Sequence, residues 1–160
     1  PDEHVAQVLD LRDFAVAEIY ARRAVALDPR EAQAWNQLGL LAVRRGDLAA
    51  AELHFRRAIA EDPAVFPAWF NLGKAAAKRG ETADAIRHFR EGLRLAPAWV
   101  PAWVELGDLL RAAGEPAEAQ DCYREALRFR PDYAPARQRF GGAAPSAARN
   151  ASATAAAAIP

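Results

Sequence analysis

Methionine is absent from the 160 residues, cysteine occurs once, and serine and threonine are confined to Thr82, Ser146, Ser152 and Thr154. The lone Cys122 excludes an intramolecular disulfide; such usage leans towards the cytoplasm and leaves a periplasmic location open. So few hydroxyls leave nothing from which to assemble a nucleophile beside a base, and no glycine-rich loop is present to cradle a phosphate. Catalysis within this chain is not expected, and neither is a cofactor. Although 52% of the residues are hydrophobic, no uninterrupted apolar run reaches the length of about 18 residues that marks a bilayer span, so direct membrane insertion is not expected. Without an initiating methionine the chain reads as a processed product or a fragment, and any leader or anchor would lie upstream. Lysine is reduced to Lys74 and Lys78 while arginine and alanine abound, a usage that points to a GC-rich bacterial source.

What the chain does have is a period. Trp35, Trp69 and Trp103 stand 34 residues apart, and a skeleton of seven positions travels with each. Residues 32–65 carry Trp35, Leu38, Gly39, Ala51, Phe55, Ala58 and Pro63. Residues 66–99 carry Trp69, Leu72, Gly73, Ala85, Phe89, Gly92 and Pro97, and residues 100–133 carry Trp103, Leu106, Gly107, Ala119, Tyr123, Ala126 and Pro131. Within a unit the apolar residues return at helical spacing in two runs, separated by Gly46, Gly80 or Gly114, where a helix end favours a residue tolerant of left-handed angles. Asp47 and Thr82 are the N-caps expected for the second helices, and Pro116 suits a first turn. Each second helix is expected to stop near Pro63, Pro97 or Pro131. Gly39, Gly73 and Gly107 fall inside a helix at a cost of about 1 kcal/mol relative to alanine. Close packing of the partner helix, with Ala51, Ala85 and Ala119 opposite, is the expected compensation.

This skeleton resembles the tetratricopeptide repeat, whose pattern is Trp, Leu-Gly, Ala, aromatic, Ala and Pro at these spacings. The resemblance implies an all-α, right-handed superhelical solenoid of antiparallel helix pairs. Residues 13–29 align without a gap on 47–63, so residues 1–31 are read as a partial repeat with a short first helix and a full second helix. Full repeats occupy 32–65, 66–99 and 100–133. Residues 134–140 form a short capping helix that shields the last apolar face, and 141–160 are an Ala/Pro/Ser-rich tail or linker.

Net charge is zero but unevenly spread: −3 over residues 1–31, 0 over the first full repeat, +3 over the second, −3 over the third and +3 thereafter. Without a basic run interleaved with exposed aromatics, no nucleic-acid partner is expected. Tyr20, His54, His88 and Cys122 share one repeat position. Equivalent residues of stacked helices lie about 8–10 Å apart, far beyond the roughly 2.0–2.3 Å reach of a zinc ligand, so they are read as a partly exposed surface ladder and not as a metal site. Asn150-Ala151-Ser152 fits the glycosylation acceptor pattern and is read as coincidence.

In the family that the chain resembles, the first helices line a concave surface and one face of each carries the ligand contacts. Carried over by position, that face comprises Gln33, Asn36, Gln37, Leu40 and Arg44; then Phe70, Asn71, Lys74 and Lys78; then Val104, Glu105, Asp108 and Arg111; and Gln138 with Arg139 on the closing helix. Gln37, Asn71, Glu105 and Arg139 make a polar ladder able to hydrogen-bond an extended peptide, with Leu40, Phe70 and Val104 supplying apolar pockets. The carboxylate-clamp subfamily is rejected, because Leu40, Pro101 and Glu105 stand where clamp residues belong. The asparagine ladder of nucleocytoplasmic glycosyltransferases is closer, yet only Asn71 is in register. The resulting expectation is a non-catalytic scaffold that binds a protein or peptide partner. Two alternatives are a recruiting arm of a larger enzyme, for example a glycosyltransferase, and a self-assembling homo-oligomer.

Overall fold

The computed structural model describes residues 2–141, with side chains from 13 to 140. Eight helices follow one another over this span: α1 (Asp2–Leu27), α2 (Ala32–Arg44), α3 (Leu48–Glu61), α4 (Phe66–Lys78), α5 (Thr82–Leu95), α6 (Val100–Ala112), α7 (Pro116–Phe129) and α8 (Ala134–Gly141). Each packs on the next, and α2 also touches α4, so the first helices α2, α4 and α6 form one layer and the second helices another. The tail, with Asn150 and the apolar stretch 155–159, lies outside the described residues.

The turn between paired helices is built the same way three times. Gly46 sits at φ 79°, its N–H donating to Val43 O at 3.0 Å while Asp47 N–H donates to Ala42 O at 3.0 Å, which ties off two carbonyls that the helix end leaves open. Gly80 and Gly114 repeat the arrangement. At the other turn the tryptophan indole acts as a staple: Trp35, Trp69 and Trp103 donate from Nε1 to the carbonyls of Pro29, Pro63 and Pro97 at 2.8, 3.0 and 2.7 Å. The Asp47 carboxylate caps α3 by accepting from Ala50 N–H at 2.9 Å. Thr82 does not cap α5; it is the first helical residue, and Glu81 occupies the cap position without a side-chain bond.

Residues 2–27 differ from the sequence expectation. Instead of a short helix, a turn and a second helix, α1 runs unbroken. One period before Gly46 stands Arg12, so no glycine is available for the left-handed turn and the helix continues. Val16, Ile19, Tyr20 and Leu27 of α1 are exposed.

The interior is a continuous row of apolar clusters, with Phe55, Phe89 and Tyr123 completely or almost completely buried. These rings are the nearest neighbours of the helical glycines, and the Ala85 carbonyl would also stand 3.4 Å from a Cβ on Gly73. A Cβ on Gly39, Gly73 or Gly107 would stand 2.3, 2.9 or 2.5 Å from an atom of Phe55, Phe89 or Tyr123 respectively. Real carbon contacts settle near 3.5–4.0 Å, so hydrogen is the only substituent that fits.

Candidate binding groove

Stacking the first helices side by side puts positions from three repeats onto one surface. Between α2 and α4 lies a cavity of about 200 Å³ lined by Leu40, Val43, Phe55, Asn71, Lys74, Ala75 and Lys78. Between α4 and α6 lies a second, of about 510 Å³, lined by Lys74, Ala77, Lys78, Phe89, Glu105, Asp108 and Leu109. Lys74 and Lys78 form the ridge shared by both.

Six of the residues expected to face a ligand line these cavities: Leu40, Asn71, Lys74, Lys78, Glu105 and Asp108. Gln33, Gln37, Arg111 and Gln138 are exposed but line neither. Arg44 is exposed at the end of α2, its guanidinium 5.1 Å from the centre of the Phe14 ring.

Three expected wall residues are corrected. Asn36, Phe70 and Val104, which share one repeat position, are 3%, 4% and 5% exposed and belong to the interior. Phe70 supplies no pocket, because its ring is packed among Phe66, Phe89 and Trp99 at centroid distances of 6.0, 6.0 and 6.3 Å. Asn36 survives burial because its Oδ1 accepts from Asn71 Nδ2 at 3.0 Å. The residues missed from sequence are the small apolar ones, Val43, Ala75, Ala77 and Leu109, with Phe55 and Phe89 beneath them.

Electrostatically the groove is divided. Lys74 Nζ pairs with Glu105 across the larger cavity at 3.0 Å. Asp108 is fully engaged: its carboxylate accepts from Tyr123 OH at 2.8 Å, from Arg139 Nε at 2.7 and 2.8 Å, and from Arg111 at 3.4 Å. Burial, and then this bond to Asp108, push the Tyr123 hydroxyl up to about 12, and the carboxylate holds Arg139 above its usual range. These groups fasten α8 to α6 and α7. Among the described residues no carboxylate pairs with Lys78.

On the second helices the shared position of Tyr20, His54, His88 and Cys122 is not uniformly a surface ladder. Tyr20 is exposed and His54 half-buried, whereas His88 and Cys122 are buried. His88 lies 5.8 Å from the Trp69 ring, and its Nδ1 is buried without a hydrogen-bond partner among the described residues. Burial pushes the Cys122 thiol up to about 11, the opposite of what a reactive thiolate needs. Burial first, and then Arg87 and Arg56, lower the pKa of His88, with Asp84 and Glu52 opposing; His54 is lowered by burial and by Arg22. A histidine kept neutral in the folded chain titrates near 6.5 once unfolded, so the unfolded chain binds more protons below that pH. Stability from this source is therefore complete above about pH 6.5 and declines as pH falls below it. A His88→Leu variant is expected to flatten the acid limb of the unfolding midpoint between about pH 7 and 5. A limb as steep as the parent's would assign that dependence to other groups.

Comparison with known proteins agrees with the geometry. Family profiles described as tetratricopeptide repeat match residues 8–66, and again 66–99 and 100–133. No curated protein sequence matches the chain. Among solved structures, a crystal structure of MamA superposes with TM-score 0.73 at 21% identity, over 84% of this chain and 79% of that one. A second structure, of MamA protein, gives 0.67 at 25% identity, over 76% and 66%. Among the described residues no helix is long and apolar enough to cross a membrane. With the period, the glycine turns, the indole staples and the profile matches in agreement, this chain belongs to the tetratricopeptide repeat family.

Proposed function

We propose that the chain is a non-catalytic interaction scaffold whose groove along α2, α4 and α6 holds a segment of a partner protein. The observation that carries this reading is the pair of adjoining cavities, together about the size of a ligand site, with apolar floors and polar rims. An apolar floor supplies affinity by burial, and rim groups such as Lys78 and Asn71 supply orientation.

The test is a purified partner, first captured from source cells and then titrated against the parent chain and a Leu40→Asp/Lys78→Ala variant. Both side chains are exposed, so helicity is expected to persist. Asn71 is a poor choice, because its removal would orphan the buried Asn36 Oδ1. Loss of affinity by about tenfold or more, the scale of a truncated anchor, is the expected result. Equal affinity for parent and variant would remove the groove from the binding surface.

A further inference from the structure

The two cavities are one site repeated by the sequence period. Leu40, Val43 and Phe55 with Asn71, Lys74 and Ala75 line the first; adding 34 to each gives Lys74, Ala77 and Phe89 with Glu105, Asp108 and Leu109, which line the second. One further period gives Asp108, Arg111 and Tyr123 with Arg139. In that third register the side chains are bound to one another: Tyr123, Arg111 and Arg139 all donate to the Asp108 carboxylate. The phenol that replaces the phenylalanines of the earlier registers makes this closure possible, since its hydroxyl reaches Asp108 at 2.8 Å. The groove thus offers two successive slots and ends at a latch.

From this we infer that the groove, if it binds a partner segment as proposed above, reads an acidic, extended peptide with two apolar side chains three residues apart. The slots flank α4, so they are separated by about one helix-to-helix distance, 8–10 Å. Three residues of polyproline II backbone advance about 9 Å and return a side chain to the same face. Extended backbone also has free amides. Asn71 lines the first slot and spends one N–H on Asn36, and its Oδ1, which accepts from no described residue, remains to accept from such an amide. A helical ligand would match the spacing at about 10.5 Å with residues seven apart, but its amides are consumed within the helix.

Size orders the two anchors. The larger cavity, about 510 Å³, falls within the range of about 300–1,000 Å³ typical of ligand sites and takes an aromatic or leucine side chain; the smaller, about 200 Å³, takes a small aliphatic one. Charge selects the residue between them. The ridge separating the slots bears Lys74, already paired with Glu105, and Lys78, which pairs with no described carboxylate. An Asp or Glu between the anchors meets that ammonium.

The experiment is selection of a displayed library of random short peptides on the parent chain, with each enriched peptide then titrated against Ala77→Trp and Lys78→Glu. Ala77 is half-buried on the floor of the larger slot, and circular dichroism would verify that both variants keep their helices. The inference expects enriched peptides that share two apolar residues three apart with an acid between. Those peptides should bind Ala77→Trp about tenfold or more weakly. With Lys78→Glu the preference for an acidic residue should disappear or turn basic. Peptides that lose binding to Ala77→Trp but carry a single anchor, anchors seven apart or no acid would overturn the two-slot reading while leaving the groove as the binding surface. Peptides that bind Ala77→Trp as well as the parent, or no enrichment at all, would overturn both.

Discussion

Phe89→Ala is expected to destabilise the protein by about 3–5 kcal/mol, the usual cost of deleting a fully buried phenylalanine ring. Phe89 is 1% exposed, lies over Gly73 of its own repeat, sits tilted against Phe70 at a centroid distance of 6.0 Å and belongs to the cluster that continues into α6 and α7. Collapse cannot refill the space cheaply. Gly73 has no side chain to advance into it. Because repeat stacks are held together by neighbour interfaces, damage to the middle repeat weakens its contacts on both sides. A loss of this size in a chain of this length corresponds to a fall of roughly 6–20 °C in the unfolding midpoint. Phe89→Leu should cost much less, because it keeps most of the volume. A midpoint within a few degrees of the parent for Phe89→Ala would show that the repeat is not closed around this ring.

Much of this architecture was legible before any coordinates. Seven positions recurring three times without an insertion fix helix lengths, turn sites and the order of packing. Those constraints are local: a left-handed glycine, a proline without an amide, an apolar stripe at helical spacing. The groove was only partly legible for a physical reason. A period says which residues are equivalent, but it does not say how deep each one sits. Asn36 looked like a surface amide, yet it is buried because Asn71 from the next repeat answers its carbonyl. Asp108 looked like a rim carboxylate, yet residues 15 and 31 positions further on claim it. Val43, Ala77 and Leu109 stand out in no repeat pattern, yet they line the cavities. At the N-terminal end the alignment with a repeat was sound over residues 13–29, but the missing glycine at position 12 mattered more than the alignment.

Gly92→Ala is expected to destabilise the parent chain by about 2 kcal/mol and to stabilise a chain that already carries Phe70→Val. The first and third repeats hold alanine at this position, Ala58 and Ala126, opposite the shorter Asn36 and Val104; the second pairs glycine with phenylalanine. A Cβ on Gly92 would stand 2.4 Å from Phe70 Cε1 and 2.6 Å from Cδ1. The ring cannot retreat, because Phe66, Phe89 and Trp99 hold it on other sides. Two effects oppose each other. Replacing a mid-helix glycine by alanine gains about 1 kcal/mol of helix propensity. Forcing a methyl more than about 1 Å inside a contact of 3.5–4.0 Å costs more, at the upper end of the 1–3 kcal/mol seen for overfilled interiors. The clash wins in the parent. Once Phe70→Val removes the ring, at a cost of about 3 kcal/mol as a cavity, the methyl on residue 92 meets open space and the propensity gain remains. A double-mutant cycle should therefore show the Gly92→Ala effect changing sign between backgrounds, with a coupling of about 3 kcal/mol. If Gly92→Ala is equally destabilising in both, strain in the helix itself, and not the Phe70 ring, keeps glycine there.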